Sequence, residues 1–282
     1  CFIKSNLIIL SKYSLTISYK TQKMTDNKFT WVATHKEIAQ YLSTKENAQH
    51  ELITLLKSVD IGPFNDRSGD DEGHDTELDE IDPFTFFCYI YKYGSKRRLK
   101  HLQQIAKKIG ITVPLDDNGI PSAQAQKVWL FPCKSQRVNN EVARLWHFFN
   151  KALTNQITDE DFADVLKIAN VGKTKLTEAL FYINPERYLP INGPTKPYLK
   201  RALEVECSFN TYSEYMAVLD VIKSKSDLPF YELSYEAWEW NNEEKQINYW
   251  VFQGNPNVFD FETALREKLL TDWTVSAHKD KI

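Results

Sequence analysis

The most apolar stretch of the chain, IDPFTFFCYIYKYG at residues 81–94, restricts the possible folds more than any other segment. Pro83 suits the first turn of a helix, where its missing N–H is not needed, and Asp82 suits the N-cap position before it. The stretch is shorter than the roughly 20 apolar residues that span a bilayer, and no other run approaches that length. The pattern therefore predicts a helix that begins at Pro83, in a protein without a membrane partner.

Helical periodicity recurs on both sides of this stretch. Apolar residues return every three or four positions over 29–59, over 95–110 and over 139–155, with Gly110 as the terminator of the second helix. The helix at 95–110 is rich in basic residues, which indicates either a phosphate-contacting face or a solvated one. Residues 208–238 predict one more helix followed by an irregular segment. Together these patterns predict an α+β fold, mostly helical, over residues 29–238.

An acidic segment precedes the apolar stretch. Nine carboxylates lie between Asp66 and Asp82 against one arginine, with glycines and a proline nearby, which is typical of a loop. A calcium-binding EF-hand needs glycine at its sixth position, but a loop that starts at Asp66 has Asp71 there, and no other register fits. The pattern predicts a solvated acidic loop.

Residues 167–193, KIANVGKTKLTEALFYINPERYLPING, contain Gly172-Lys173-Thr174, the last three letters of a phosphate-binding loop. A P-loop also needs glycine five residues earlier, where this chain has Lys167, and a buried strand upstream, which is missing from the pattern. Because no other catalytic motif is present, we expect this chain to have no enzymatic activity and no cofactor.

The same residues match a helix, a turn at Gly172 and a second helix. Hairpins of this kind hold a nucleic-acid phosphate on the N–H groups that begin the second helix. Gly172, Lys173 and Lys175 are therefore candidate contacts to a phosphate backbone, with a plain structural turn as the alternative.

The net charge of −3 gives no global attraction to nucleic acid, so a DNA contact must come from a local patch. The four cysteines are scattered without a C-x-x-C pair, which favours neither zinc nor disulfides and predicts a cytoplasmic protein.

The chain begins with Cys1 and its first methionine is Met24. We expect residues 1–28 to be a leader outside the fold, with translation starting at Met24.

The polar stretch EWNNEEKQ, residues 239–246, predicts a linker. After it the chain continues with a strand-like YWVF, a Gly-Asn-Pro turn and a final DWTVSAHKDKI. This part resembles the beginning of an EVE domain, a relative of YTH and PUA-like modules that open with a Tyr-Trp strand and an Asn-Pro turn. The resemblance implies the truncated start of a PUA-like β-barrel over residues 247–282.

The pieces WVATHKEIAQYL, IDPFTFF, VWLFP and LFYINPERYLPIN resemble the N-terminal domain of Mcr-type modified-cytosine restriction NTPases. In that family the domain often precedes an EVE domain and an AAA+ GTPase module, which carries the P-loop. The resemblance covers about residues 31–200. It implies a bacterial-type defence protein that recognises modified cytosine in DNA. Its AAA+ module would form oligomers and couple recognition to recruitment of a restriction nuclease.

The EVE resemblance also implies residues that recognise the base. Gly254, Asn255 and Trp273 are candidates for the pocket walls, and His278 and Lys279 are candidates for phosphate contacts. For Trp273 the alternative is packing in a β-core, and for His278 and Lys279 it is a solvated start of a strand. We expect base recognition to need the remainder of this module, because a base pocket takes walls from several strands.

Two other classes of function stay open from the sequence. One is an enzyme, a nuclease or NTPase whose site no motif reveals, although the missing metal and nucleophile motifs argue against it. In the other, residues 29–238 are a protein-docking adaptor that binds a partner subunit through the acidic loop and makes no direct contact with DNA.

Overall fold

A computed structural model describes residues 28–67 and 75–246 of the 282-residue chain. This part is mostly helical, as predicted, and its only strands form one short antiparallel pair. The predicted PUA-like barrel start at 247–282 and the predicted leader up to residue 27 lie outside the described residues. The helices are α1 (Trp31–Ser43), α2 (Gln49–Lys57), α3 (Pro83–Tyr91), α4 (Ser95–Ile109), α5 (Glu141–Leu153), α6 (Asp159–Val165), α7 (Lys173–Ile183), α8 (Thr195–Ala202), α9 (Tyr212–Lys225) and α10 (Phe230–Gln246).

Helix α3 lies at the centre of the fold. All nine of its residues are buried, since the sequence provides no polar face, and α2, α4, α5 and α7 pack around it. Asp82 caps the helix as predicted: its Oδ1 accepts hydrogen bonds from the backbone N–H of Phe84 at 2.9 Å and of Thr85 at 3.0 Å. Pro83 occupies the first turn. The most apolar stretch of the sequence therefore forms the core helix.

Two surrounding helices follow the predicted periodicity. Helix α4 buries Leu102 and Ile105 and ends at Gly110, whose φ of 74° is in the left-handed region that glycine adopts without strain. Helix α5 buries Trp146 and its apolar neighbours. The sequence places His147 among these aromatics and favours a core or boundary histidine over a metal ligand there. Its side chain is instead 64% exposed, and its Nε2 lies 3.4 Å from Asp161 Oδ1. The expected core or boundary position is therefore wrong.

The acidic segment contains the two strands, β1 (Asn65–Arg67) and β2 (Asp75–Glu77). The prediction of a solvated loop fails for its first and last carboxylates, because Asp66 and Asp82 are 1% and 0% exposed. Asp66 accepts a hydrogen bond from the Lys134 backbone N–H at 2.9 Å and forms a buried ion pair with Arg137. N–H donors replace the water around Asp66 and around Oδ1 of Asp82, whereas Asp82 Oδ2 is buried without a hydrogen-bond partner and burial raises the pKa of Asp82.

Helix α10 covers a segment that the sequence predicts to be irregular and the residues that it predicts to be a linker. The residues expected to be irregular before position 238 and the predicted linker at 239–246 belong to one 17-residue helix. Phe230, Leu233 and Ala237 bury the inner face of this helix. Its polar residues are compatible with a helix whose other face is solvated. The prediction of an irregular segment before position 238 is therefore wrong from Phe230 onward, whereas the boundary between the two compact units of the chain, after Asn242, lies within the predicted linker.

Candidate functional site

The Gly172 segment is a helix–turn–helix, as predicted. Helix α6 ends at Val165 and α7 begins at Lys173, with Gly172 as the N-cap. The element before the turn is a helix, whereas a P-loop follows a strand. Gly172 has a φ of −116° and open space around the position of a Cβ, so this turn does not require glycine.

Both lysines of the turn donate hydrogen bonds within the protein. The Lys173 ammonium donates to the Phe209 carbonyl at 2.6 Å and to Asn210 Oδ1 at 2.7 Å. The Lys175 ammonium donates to the Trp129 carbonyl, and its burial lowers the pKa of Lys175. A phosphate at this turn would have to compete with these acceptors, so the phosphate contact stays a prediction.

A cleft of about 500 Å³ lies beside the first turn of α7. Four parts of the chain line it: the start of α4, the loop at 117–122, the segment from α7 to Pro194, and the middle of α10. Its volume is in the range of about 300–1,000 Å³ that is usual for ligand sites. The lining residues are Ser95, Arg98, Asp117, Asn118, Gly119, Ile120, Pro121, Ser122, Thr174, Glu178, Asn192, Gly193, Pro194, Ser234, Tyr235 and Trp238.

Three helices begin at the border of this cleft. Ser95 is the first residue of α4, Thr174 is the second residue of α7, and Pro194 directly precedes α8. Among the described residues no side chain caps α4 or α7, whereas the first amide of α8 donates to Asn192 Oδ1 at 3.2 Å. Helix N-termini carry partial positive charge and exposed N–H donors, so this border favours an anionic group.

An aromatic pair forms one wall. The rings of Tyr235 and Trp238 are 6.1 Å apart between centroids and 22° from parallel. Trp238 is 51% exposed, which is unusual for so large an apolar side chain. The exposed Trp238 ring, supported by the partly buried Tyr235, provides a planar surface on which a ligand ring can stack.

A carboxyl and an amide form a polar wall. Asn192 Nδ2 donates to Glu178 Oε1 at 2.8 Å, and Asn192 is itself held by the backbone and side chain of Thr195. Burial raises the pKa of Glu178, because the apolar surroundings disfavour its charged form. The wall therefore presents a carboxyl group that takes up a proton more readily than an exposed glutamate.

The 117–122 loop is fixed on two sides. Arg98 pairs with Asp117 and donates to Ser122 Oγ at 3.0 Å, which ties the loop to α4. On the other side, the Gly119 carbonyl accepts from Ser234 Oγ at 2.8 Å. Gly119 has a φ of 76°, and a Cβ there would lie 2.9 Å from the Tyr231 carbonyl oxygen and the Tyr235 Cβ. Only glycine fits this contact, so the loop and α10 form a rigid part of the cleft.

Of the predicted site residues, only Gly172, Lys173 and Lys175 lie in the described part, next to the cleft but not in its lining. Gly254, Asn255, Trp273, His278 and Lys279 lie outside the described residues.

Sequence reasoning missed Glu178, Asn192, Tyr235 and Trp238, because they come from distant segments. The only local pattern that could have indicated one of them is the Asn-Gly-Pro turn at residues 192–194, which contains Asn192.

Metal ligands and membrane spans are both missing from the described part of the chain. Within 28–67 and 75–246 no three His, Cys, Asp or Glu side chains group in the way that metal ligands do. In the same ranges no helix combines the length and apolarity needed to cross a bilayer.

A family model described as a domain of unknown function, DUF8425, matches residues 31–240, which is most of the chain. The chain belongs to the DUF8425 family. No curated protein and no solved structure matches it. Every residue that lines the cleft lies within the matched DUF8425 region, so the cleft belongs to the family domain itself.

Proposed function

We propose that this chain is the DNA-recognising part of a modified-cytosine restriction system. In this proposal the DUF8425 domain binds the DNA. In a longer protein, an AAA+ GTPase module would form oligomers and convert recognition into recruitment of a nuclease, in the cytoplasm. The proposal is supported by the resemblance of IDPFTFF and LFYINPERYLPIN to Mcr-type proteins and by the charge distribution around the cleft.

The observation that carries the proposal is the basic surface of α4, whose N-terminus borders the cleft. This helix contains six Lys and Arg residues and no acidic residue in a chain whose net charge is −3. Five of the six are exposed, and they are Lys96, Arg97, Lys100, Lys107 and Lys108. A local cationic surface beside helix N-termini fits a phosphate backbone, which a net-negative protein binds only through such a patch.

The protein-docking alternative relied on the acidic segment. Several of its carboxylates already have cationic partners within the chain: Glu77 pairs with Lys57, Asp79 lies 2.6 Å from Lys134, and Asp66 pairs with Arg137. These internal pairs leave less negative charge for a partner subunit, so the described surface favours DNA over protein docking.

Equilibrium binding of the 282-residue chain to duplex DNA, measured over a range of salt concentrations, tests the proposal. We expect affinity to fall steeply with salt. The double variant Lys96→Ala/Lys100→Ala should bind more weakly, with a salt slope smaller by about 1 for each DNA phosphate that it no longer neutralises. The control Lys167→Ala/Lys223→Ala removes the same charge from exposed positions on other parts of the chain. Binding without salt dependence, or equal weakening in both double variants, would contradict the proposal.

A further inference from the structure

We propose that the cleft is a binding site for a free aromatic amino acid, with its ammonium at Glu178, its carboxylate at the start of α4 beside Arg98, and its ring on Trp238. The inference goes beyond the proposed function and does not rest on it, because it uses only residues that line the cleft and involves no nucleic acid. Each of the three groups of such a ligand meets a different wall.

Two of the helices that line the cleft carry opposite charge. Helix α4 has six Lys and Arg residues and no acidic residue, and its first turn lines the cleft. From residue 230 to residue 242, helix α10 has three glutamates and no Lys or Arg. A zwitterion matches this pair of helices better than an ion of one sign, because each of its charges can face the opposite charge.

Glu178 is the acidic group that offers a place to the ammonium. Asn192 Nδ2 donates to Glu178 Oε1 at 2.8 Å, which leaves Oε2 for a ligand. Within the described part of the chain Glu178 forms no ion pair, and the ammonium of Lys175 donates instead to the Trp129 carbonyl. Burial raises the pKa of Glu178, since the surroundings disfavour its charged form. A ligand ammonium supplies the missing positive charge and stabilises the carboxylate.

Arg98 and the first amides of α4 offer donors to the carboxylate. The Arg98 side chain is 10% exposed and pairs with Asp117 through Nε. Its Nη2 donates to the Asp117 carbonyl at 3.3 Å, and its Nη1 donates to Ser122 Oγ at 3.0 Å. These bonds use three of the five guanidinium N–H groups, so each terminal nitrogen keeps one for a ligand. Helix α4 begins at Ser95 without a side-chain cap among the described residues, and its first amides add donors beside Arg98.

Trp238 indicates the side chain of the ligand. Its ring is 51% exposed at the cleft and lies 6.1 Å from the ring of the partly buried Tyr235. A ligand ring that stacks on Trp238 removes this apolar surface from water without displacing a buried side chain. An aliphatic amino acid has no ring to stack there, so the wall favours an aromatic one.

Calorimetric titration of the 282-residue chain with L-phenylalanine and two analogues tests the charged contacts. Phenethylamine lacks the carboxylate and 3-phenylpropionate lacks the ammonium, while both keep the ring. We expect saturable binding of phenylalanine and affinities about 10- to 150-fold lower for each analogue, the range for loss of a hydrogen bond to a charged group. No saturable binding of phenylalanine, or an analogue that binds as tightly, would overturn the inference.

Glu178→Gln tests the ammonium contact. The glutamine keeps an oxygen that accepts from Asn192 but has no charge, so phenylalanine should bind at least about 10-fold more weakly. Binding of 3-phenylpropionate should not weaken, because that compound has no ammonium. The control Glu160→Gln removes a carboxylate from an exposed position outside the cleft and should bind phenylalanine as wild type does. Unchanged phenylalanine affinity in Glu178→Gln would overturn the inference.

Trp238→Ala tests the ring contact through a comparison of two amino acids. Wild type should bind L-phenylalanine about 2- to 10-fold more tightly than L-alanine, and Trp238→Ala should bind the two about equally. Val221→Ala, which changes an exposed apolar residue outside the cleft, should keep the preference. A preference that persists in Trp238→Ala would overturn the inference. A chain that binds phenylalanine but no DNA would support the inference and contradict the proposed function.

Discussion

Helix α7 has two faces with different roles. Toward the core it contributes Phe181 and Tyr182, which are both fully buried. Toward the cleft it contributes Thr174 and Glu178. Each face meets one titratable group. On the core side the group is His35, whose Nδ1 donates a hydrogen bond to the Tyr182 carbonyl at 2.7 Å. On the cleft side the group is Glu178 of α7 itself.

The partners of these two groups differ. His35 is satisfied at both nitrogens, because Nδ1 donates to Tyr182 and Nε2 accepts from the Tyr91 hydroxyl. Burial lowers the pKa of His35 to about 3 and raises the pKa of Glu178, so both groups favour their neutral forms. Only Glu178 borders open space. A buried polar group with all its partners is structural, whereas one beside a cavity is available to a ligand.

Acidification tests the core side and has the largest expected effect. The folded-state pKa of His35, about 3, is below its ordinary value of 6.5. Between pH 6.5 and pH 3 the unfolded chain therefore binds a proton that the folded chain does not bind, so stability falls as the pH drops through this range. We expect the free energy of unfolding to fall by about 1.4 kcal/mol per pH unit, or about 3 kcal/mol by pH 4. Urea unfolding at several pH values measures it. An equally steep dependence in His35→Gln would contradict the assignment to His35.

Gly119→Ala tests the rigidity of the cleft side. A left-handed alanine that also approaches the Tyr231 carbonyl should lower the free energy of unfolding by about 2 kcal/mol. The control is Gly172→Ala, where φ is ordinary and the space is open, with an expected decrease below about 1 kcal/mol. Chemical denaturation of both variants gives the comparison. Similar decreases would show that the 117–122 loop does not need the close approach to α10.

The Glu178 carboxyl should contribute a pH dependence opposite to that of His35, and Glu178→Gln should remove it. The folded-state pKa of Glu178 is raised, so the wild type gains stability as the pH falls through that raised pKa toward the unfolded value of 4.5. The glutamine variant keeps the hydrogen bond from Asn192 and lacks this gain. Thermal melts should find the variant more stable than wild type at pH 8, with the difference shrinking by pH 4.5. A difference that is the same at both pH values would mean that Glu178 is not buried enough to matter.

Trp238→Ala has the smallest expected effect on stability. Because Trp238 is 51% exposed, its removal should change the free energy of unfolding by no more than about 0.5 kcal/mol. Urea unfolding measures the change. A decrease above about 1 kcal/mol would show that the ring supports the fold, and the aromatic wall would then be structural.

Much of the fold could be predicted from the sequence where the signal was local. Asp82 and Pro83 mark the start of α3, Gly110 marks the end of α4, and the apolar spacing marks α5. The errors occurred where polarity was interpreted as irregular structure. Asp66 is an acidic residue but is buried against Arg137, and the segment from Phe230 to Trp238 is helical. Burial and pairing of such residues depend on neighbours that are distant in sequence.

The cleft could not be predicted for the same reason. Its walls come from four segments between Ser95 and Trp238, and no spacing rule connects them. The letters of the Gly172 motif resemble a known loop, yet its glycine is not required. The glycine that the structure does require, Gly119, lies in an ordinary turn sequence, DDNGIP. What makes it necessary is the approach of α10, where Ser234 lies 115 positions later in the chain.

The buried pair of Asp66 and Arg137 limits how this sequence can evolve. The two residues are 71 positions apart, yet both side chains are almost completely buried. Removing Arg137 alone would leave the buried Asp66 carboxylate uncompensated, at a cost of about 3–5 kcal/mol, and removing Asp66 alone would leave Arg137 with only the Glu80 carboxylate at 3.1 Å. Replacing both Asp66 and Arg137 with apolar residues is often neutral. A lineage can therefore leave this arrangement only through a poorly folding intermediate or through two nearly simultaneous substitutions. Among diverged relatives, positions 66 and 137 should change together or not at all.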